Sequence, residues 1–295
     1  MDASNAPPMT AMRWQTTRFD LELSQPQVMG IVNLTPDSFS DGGQNADLAQ
    51  ALRHAEQLLS HGADILDIGA ESTRPGAAVV PWAQELARLE PFLREVVRWQ
   101  VPISVDTSKP QVMQAVLDWG VDIINDIWAL RQPGAEQVVV AHPSCGVCLM
   151  HMHRDPQTMQ IEPMTGDAPK QVEIFLQERV ATLLHAGVSA SRLVLDPGIG
   201  FGKTVAQNFQ LLARQADLLR LGRPVLAGWS RKSALGAALT QDGQVPQPAQ
   251  RQVASVAAAL LAVERGASVV RVHDVKETAD ALKIWRAMRQ SGTAS

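Results

Sequence analysis

Residues 102–127, PISVDTSKPQVMQAVLDWGVDIINDI, contain one complete strand–helix–strand unit and decide the fold. PISVDT (102–107) and DIINDI (122–127) are short apolar runs of strand length. Between them, apolar residues recur at helical spacing after Pro110, which suits a first helical turn, and Gly120 suits the helix end. Near-continuous apolar strands joined by helices are typical of parallel sheets that are covered on both faces.

Six further apolar runs of strand length surround this unit, and most are separated by helical patterns. The helical stripes include 48–59, 175–184 and 253–261, and Gly62 and Gly187 lie where a helix would end. The further runs are QVMGIVN (27–33), ADILDIG (63–69), GVCLMH (146–151), LVLDPG (193–198), PVLAGWS (224–230) and VVRVHD (269–274). Such a chain could form either a closed barrel or an open, doubly wound sheet.

Polar residues end every one of these predicted strands. In a β/α barrel all the carboxyl ends of the strands meet around one mouth, whereas an open sheet would use a single switch point. The polar ends are Asn33, Asp67, Asp106, Asn125, Asp126, His151, Asp196, Ser230 and His273. We therefore predict an α/β fold, a single-domain (β/α)8 TIM barrel over 27–290, with a frayed tail over 291–295. Residues 1–26 are interpreted as an N-terminal extension, a short hairpin that closes the bottom of the barrel.

The composition limits the classes of partner. The 295 residues are 45% hydrophobic and carry a net charge of −4, which argues against a nucleic-acid-binding protein that relies on overall positive charge. No stretch approaches the roughly 18 apolar residues of a membrane span. Residues 1–17 lack a secretory segment, so we expect a cytoplasmic protein that acts on small molecules.

Cations that follow several strands predict an anion site. Arg74 lies among hydroxyl groups in ESTRPG (71–76), where it could bind phosphate, although a solvated arginine in a capped turn fits equally well. Lys232 follows the seventh strand, and Arg271 and His273 share one face of the eighth. Loops at these two strands frequently bind phosphate in β/α barrels. A buried salt bridge is the structural alternative for Arg271.

Asp106, Asn125 and Asp196 form a second group at strand ends. Two carboxylates and an amide suit a heterocycle with several N–H donors, because charged groups in an enclosed site need a partner. Hydrogen bonding across the barrel is the structural alternative for Asn125, and it is the preferred interpretation for Asp126. The segment DPGIGFGKT that starts at Asp196 is not a phosphate-binding loop of the P-loop type, because Pro197 replaces a required glycine. Its glycines are predicted to let the backbone approach a flat ligand.

Two histidines and two cysteines suggest other chemistries. His151 and His153 form an H-x-H pair that could bind a metal, but no third ligand is obvious in the sequence. Cys145 and Cys148 could be a redox pair, but side chains three positions apart on a strand point to opposite faces. We interpret the cysteines as buried apolar residues, one histidine as part of a hydrogen-bond network and the other as exposed.

Eight strings in order resemble the bacterial dihydropteroate synthases, a family of pterin-binding barrels, from about Val28 to Val275. The strings are NLTPDSFSDGG, ADILDIGAESTRPGA, SVDTSKP, DIINDI, LMHM, LDPGIGFGKT, GWSRKSALG and VRVHDV. The resemblance implies a homodimeric, cytoplasmic enzyme of folate biosynthesis. It would join 6-hydroxymethyl-7,8-dihydropterin pyrophosphate to p-aminobenzoate, release pyrophosphate with the help of Mg²⁺ and be inhibited by sulfonamides.

The resemblance also implies a role for each matching residue. The pterin would be bound by Asp106, Asn125, Asp196, Lys232 and Arg271. The pyrophosphate would be bound by Asn33, Thr73, Arg74, Arg271 and His273, with Asn33 also at the metal. The aminobenzoate pocket would be shaped by Phe39, Pro75, Phe201 and Ser233. The catalytic residues would be Asp106, Lys232, Arg271 and His273.

Two residues depart from the pattern of that family. Trp128 stands where a small residue is usual, and His153 stands where glutamine is common. Both would alter the shape of the pocket rather than the reaction. The alternatives are a pterin-binding barrel that transfers a methyl group from methyltetrahydrofolate, a non-catalytic pterin-binding paralogue and a metal-dependent hydrolase. The methyltransferase would share the pterin residues without needing the pyrophosphate cations.

Overall fold

A computed structural model describes residues 12–35, 44–72 and 76–292 of the chain. These ranges contain the closed barrel and the carboxyl ends of its strands. Four residues that the resemblance implicates lie outside the described residues: Phe39, Thr73, Arg74 and Pro75.

A small hairpin precedes the barrel. Its strands β1 (Arg13–Gln15) and β2 (Asp20–Glu22) pair in the antiparallel sense. Trp14 is fully buried against the apolar interior of the barrel, and its indole N–H donates a hydrogen bond to the carbonyl of Arg192 at 3.0 Å. The hairpin therefore covers the amino ends of the barrel strands.

Eight parallel strands form a closed barrel in which each strand pairs with its neighbour in chain order and the last pairs with the first. The strands are β3 (Gln27–Asn33), β4 (Ile65–Gly69), β5 (Ile103–Asp106), β6 (Ile123–Asp126), β7 (Gly146–Met150), β8 (Leu193–Asp196), β9 (Val225–Ala227) and β10 (Ala267–Val272). The predicted (β/α)8 TIM barrel is confirmed.

Helices connect these strands and cover the outside of the barrel. In the described part of the chain they are α1 (Gln44–Ser60), α2 (Trp82–Val96), α3 (Pro110–Asp118), α4 (Ala135–Ala141), α5 (Ala168–His185), α6 (Val205–Ala213), α7 (Ser233–Ala238), α8 (Gln252–Glu264) and α9 (Val275–Gly292). Pro110 opens α3, and Thr204 and Gln207 form a capping box at the start of α6. None of these described helices combines the length and apolar character that a bilayer span requires.

The barrel interior changes character along the strands. Alternate side chains of each strand enter the barrel. The layer nearest the hairpin is apolar and consists of Met29, Ile65, Ile123, Cys148, Val194, Leu226 and Val269. Two positions further along four of these strands, the corresponding residues are Asp67, Asn125, Asp196 and Arg271. The opposite strand faces pack against the helices in the main hydrophobic core.

Most of the predicted strands extend beyond the observed ones, although the first, over 27–33, matches β3. The seventh run was predicted over 224–230, but β9 ends at Ala227, and the eighth run over 269–274 gives way to a loop after Val272. Ser230 and His273 therefore lie beyond the strand ladder, whereas Asn33, Asp106 and Asp196 are still paired within it, and all of them belong to the barrel mouth. The pattern also does not identify α2, whose interior contains Pro91.

Candidate active site

Strand register brings the first predicted site residues together. Gly69 of β4 lies opposite Asp106 of β5, and Asp106 lies opposite Asn125 of β6. Asp196 lies opposite Met150 at the end of β7. The two carboxylates and the amide therefore lie on the same rim, as the polar strand ends predict.

Arg271 is the centre of an ionic network in this rim. Its Nε donates to Asp67 Oδ2 at 2.6 Å, and its Nη2 donates to Asp106 Oδ2 at 2.9 Å. Asp67 is fully buried. The guanidinium thus joins β10 to both β4 and β5. Arg271 therefore forms the buried salt bridge that was considered as its structural alternative.

Asp67 is the residue of this network whose role sequence reasoning missed, although it is one of the predicted polar strand ends. Ser104 Oγ donates to Asp67 Oδ1 at 2.6 Å, and Asn125 Nδ2 lies 3.3 Å from Asp67 Oδ2. Asp67 lies near the carboxyl end of a predicted strand, two positions before Gly69, so its place in the ring of polar strand ends was the available signal. Its partner Arg271 is 204 positions away in the chain, so nothing local identifies the pair.

The network leaves Asp106 with an unusual acidity. Burial raises the pKa of Asp106 to about 7, while the charge of Arg271 opposes that rise and the charge of Asp67 adds to it. For Arg271 itself, burial lowers the pKa, but the carboxylates of Asp67 and Asp106 outweigh burial and raise it. One cation therefore pairs with two carboxylates. The carboxylates can accept further hydrogen bonds from a ligand that is positively charged or rich in N–H groups.

Asp196 and Lys232 form the second half of the rim. Burial raises the pKa of Asp196, although the backbone N–H of Gly198 donates to its Oδ1 at 2.7 Å and lowers it. Burial lowers the pKa of Lys232 to about 8, and the charge of Asp196 partly offsets this effect. The Lys232 ammonium lies 4.3 Å from the ring centroid of Phe201, which is a cation–π distance.

The glycine-containing loop after β8 packs against the loop after β7. A Cβ atom on Gly198 would lie 1.8 Å from the carbonyl oxygen of His151, and one on Gly202 would lie 2.7 Å from that of His153. Both glycines have positive φ. Gly198 and Gly202 therefore approach protein backbone rather than a ligand, so the prediction that these glycines let the backbone approach a flat ligand is wrong for them. The space beside Gly200 is occupied by the side chain of Lys232.

A buried lysine, Lys203, holds this loop in place. Its Nζ donates to the carbonyl oxygens of His151, Gly198 and Phe201 at 3.2, 2.8 and 3.0 Å. Burial lowers its pKa to about 7, although the charge of Asp196 opposes that change. Lys203 was not identified from the sequence, because nothing in GFGKT shows that its side chain turns inward.

His273 and Asn33 lie on the side of the mouth where β3 and β10 meet. The Ser230 hydroxyl and His273 Nδ1 are 2.9 Å apart, and the backbone N–H of His273 donates to the same hydroxyl at 3.1 Å. Burial lowers the pKa of His273 to about 3, and the charges of Arg231 and Arg271 add to that effect. Asn33 and His273 line a common cavity of about 590 Å³.

Other predicted residues are not part of this rim. Asp126 has a structural role, but its hydrogen bonds are local rather than across the barrel: it accepts from the backbone N–H groups of Trp128 and Leu130 at 2.8 and 2.7 Å. His151 is buried, its pKa is lowered to about 2 chiefly by burial, and its ring packs edge-on against Phe175. His153 is half-buried. Among the residues that the structure describes, there is no group of three or more His, Cys, Asp or Glu that could hold a metal ion.

Both cysteines are free and buried, in agreement with the apolar interpretation. Cys148 lies in the apolar layer inside the barrel, whereas Cys145 packs with the outer core and lies 3.0 Å from Arg192 Nη2. Their side chains therefore lie on opposite sides of the barrel wall, as the strand geometry predicts.

Comparisons with known proteins agree with this geometry. The model of the pterin binding enzyme family matches residues 29–273. The dihydropteroate synthase of Neisseria meningitidis serogroup B is 51% identical over 93% of this chain and 97% of its own length. The crystal structure of Burkholderia cenocepacia dihydropteroate synthase complexed with 7,8-dihydropteroate is 48% identical, with a TM-score of 0.87 over 96% of this chain and 98% of that one. The Yersinia pestis dihydropteroate synthase, solved as a sulfonamide drug complex, is 45% identical, with a TM-score of 0.88 over 95% of this chain and 100% of that one.

The fold and the rim together define a barrel enzyme that binds a heterocycle beside an anion. This chain belongs to the pterin-binding enzyme family.

Proposed function

We infer that this chain is a dihydropteroate synthase. It is a transferase that condenses 6-hydroxymethyl-7,8-dihydropterin pyrophosphate with p-aminobenzoate to form 7,8-dihydropteroate and pyrophosphate in folate biosynthesis. The observation that carries this conclusion is the rim itself: Asp106, Asn125 and Asp196 lie together with the cations Lys232 and Arg271. Relatives of that name match it over nearly their full length.

The acidic side of the rim is proposed to bind the pterin. The heterocycle presents several N–H groups, and the carboxylates of Asp106 and Asp196 together with the amide of Asn125 supply the acceptors. Both carboxylates have raised pKa values because they are buried, so hydrogen bonds from the ligand would stabilise their ionised forms. Lys232 and Arg271 are proposed to contact the ring from the basic side.

The charged groups of the rim are also placed to assist cleavage of the bond between the pterin and the pyrophosphate. The exocyclic C–O bond can break first, because the electron-rich pterin delocalises the positive charge that forms. Asp106 and Asp196 are placed to stabilise that charge, and Arg271 and His273 are placed to stabilise the departing anion. The amine of p-aminobenzoate is neutral near pH 7, so the reaction does not depend on a dedicated general base.

Asn33, Arg271 and His273 are proposed to bind the pyrophosphate, with Thr73 and Arg74 from outside the described residues. Magnesium usually binds through one or two protein oxygens and the phosphates of the substrate rather than in an all-protein site. The side-chain oxygen of Asn33 lies beside Gly69 of the neighbouring strand, at the rim, and suits that arrangement. When bound with the substrate, Mg²⁺ would neutralise charge on the leaving group.

The aminobenzoate pocket is proposed to lie beside Phe201 and Ser233, with Phe39 and Pro75 completing it. Phe201 is buried beneath the Lys232 ammonium, and Ser233 is exposed at the first turn of α7. An aromatic amine could stack there with its reactive nitrogen toward the pterin. Sulfonamides, which share that aromatic amine, are expected to compete for the same position.

A homodimer is proposed from the surface formed by α8 and α9. These helices pack against each other and expose Val253, Leu261, Ile284 and Met288, of which Val253 is 82% and Ile284 is 73% exposed. Exposed apolar groups on neighbouring helices mark interaction surfaces. Sedimentation should show a dimer, and Ile284→Asp should shift it toward the monomer. The cytoplasmic location stays a prediction.

One incubation tests the function. The purified protein is mixed with the dihydropterin pyrophosphate, p-aminobenzoate and Mg²⁺, and both pyrophosphate and dihydropteroate are measured. We expect their release in equal amounts, dependent on the amine. Binding of the pterin without release would instead indicate the non-catalytic paralogue, and activity with methyltetrahydrofolate would indicate the methyltransferase.

A further inference from the structure

A gap opens between β3 and β10 at the barrel mouth. The last paired residues of these two strands are Gly30 and Val272, whereas β3 stays paired with β4 as far as Asn33. Above Gly30, the edge of β3 that faces β10 therefore has no strand partner in the described part of the chain. A cavity of about 590 Å³, here called the lateral cavity, lies at this gap and is lined by Ile31, Asn33, Gln50, Arg53, His54, Gln57, Arg231 and His273.

The lateral cavity has a polar and basic lining. Seven of its eight lining residues are polar, and none of the eight is acidic. Arg231 is ion-paired to Asp274 at 2.6 Å, so its charge is largely compensated. Arg53 on α1 is exposed, and none of the hydrogen bonds or ion pairs between described residues involves it. The outer wall therefore presents an uncompensated positive charge.

The backbone around the cavity is held in place. Arg231 has a positive φ of 60°, a conformation that is costly for a residue with a side chain. Its backbone N–H donates to Ser255 Oγ at 2.9 Å, and its carbonyl accepts from Arg251 at 3.0 Å. On the other side of the cavity lie His54 of α1 and Ile31, which follows the last β3–β10 pair. The gap is thus braced from α8.

We propose that the lateral cavity is a second binding site for inorganic pyrophosphate, which holds the released product chiefly through the uncompensated charge of Arg53. Its inner end is formed by Asn33 and His273, the residues proposed to bind the leaving group, and its outer end is the exposed face of α1. A highly charged anion that leaves the rim finds guanidinium and amide donors there without passing the aminobenzoate pocket. The proposal rests on the proposed function, since that reaction supplies the pyrophosphate.

Direct binding of pyrophosphate to the full chain tests this site without turnover. Isothermal titration with pyrophosphate and Mg²⁺ would compare wild type with Arg53→Glu, which reverses the charge of the outer wall. Arg98→Glu is the control, because Arg98 is an exposed arginine that follows α2 and does not line the lateral cavity. Gln57→Trp is the second variant, because it narrows the cavity without changing any charge.

We expect Arg53→Glu to weaken pyrophosphate binding at least tenfold and Gln57→Trp to weaken it at least fivefold. The affinity of Arg98→Glu should stay within about twofold of wild type, since an exposed distant charge is screened by salt. Affinities of both cavity variants within twofold of wild type would overturn the proposal. So would equal losses in Arg53→Glu and Arg98→Glu, because these would indicate a general effect of net charge. If wild type binds pyrophosphate through Arg53 but makes no dihydropteroate, the proposed function fails while the site stands. If the protein makes dihydropteroate but both cavity variants bind pyrophosphate as wild type does, the site fails while the proposed function stands.

Discussion

The two ends of the barrel are built on the same strands but hold opposite chemistry. At the amino end, Met29 and Val194 pack under the buried indole of Trp14, and the hairpin closes the interior. At the carboxyl end, Arg271 and two carboxylates occupy the interior positions. Two residues along a strand, about 7 Å, separate an apolar environment from an ionic one.

This difference shows where the molecule is stabilised and where it binds its ligands. Burial of apolar side chains at the closed end contributes to stability without any polar cost. Buried charges at the open end contribute little net stability, because desolvation offsets their attraction. We therefore expect mutations at the closed end to affect mainly stability, and mutations at the open end to affect mainly catalysis.

Trp14→Ala tests the closed end and should have the largest effect. Removing the indole leaves a cavity under the hairpin and should lower the free energy of unfolding by about 3–5 kcal/mol. Urea denaturation measures this loss. The kcat of the remaining folded protein should stay within about twofold of wild type, since one end is not expected to affect chemistry at the other. A kcat that falls together with stability would show that the two ends are coupled.

Arg271→Ala tests the open end. Loss of this guanidinium leaves Asp67 and Asp106 unpaired and removes a donor to the leaving group, so kcat/KM should fall by about a hundredfold to a thousandfold. Steady-state kinetics at fixed Mg²⁺ measure the loss.

Arg18→Ala is the matched control, because Arg18 pairs with the buried carboxylate of Asp122 at 2.5 Å near the closed end. Both substitutions remove one partner of a buried ion pair and should lower stability. Only Arg271→Ala should abolish most of the activity of the folded protein. Equal losses of activity in the two variants would contradict the division between the ends.

Lys232→Ala should have a smaller effect on the same rim. The ammonium lies over Phe201 and near Asp196, so its loss should lower kcat/KM at least tenfold, or about 1.4 kcal/mol of transition-state stabilisation. Lys283→Ala, an exposed lysine on α9, is the control and should leave the kinetics unchanged. If Lys232→Ala and Asp196→Asn both have wild-type kinetics, the pterin site has been misplaced.

The raised pKa of Asp106 should make both stability and catalysis depend on pH. Its pKa is raised in the folded state from 3.8 to about 7, so its contribution to stability is fully present below about pH 4 and is lost as the pH rises through 7. Catalysis needs the ionised form, so kcat/KM should instead increase with pH up to about 7.

Asp106→Asn should remove both of these dependences. Urea denaturation at about pH 5 and about pH 8 should show wild type losing stability relative to the variant as the pH rises. A constant difference in stability between the two proteins would show that Asp106 titrates outside this range.

Much of the site could be predicted because several of its residues lie at or near the carboxyl ends of apolar runs. Asp106, Asn125 and Asp196 could be assigned to one mouth as soon as the runs were interpreted as barrel strands. The ionic role of Asp67 and the buried position of Lys203 could not be predicted in this way. Asp67 acts by pairing with Arg271, and Lys203 acts by donating hydrogen bonds to carbonyl oxygens of two loops. Both roles therefore depend on contacts between distant segments of the chain.

The sequence by itself determined the barrel, its order of strands and the set of polar residues at its mouth, because period-two and helical patterns are local properties of the chain. Only the tertiary structure decided which of these charges pair, that Trp14 closes the other end and that β3 and β10 separate above Gly30. Those features depend on the register between strands and on the packing of segments far apart in the chain, which no local pattern specifies.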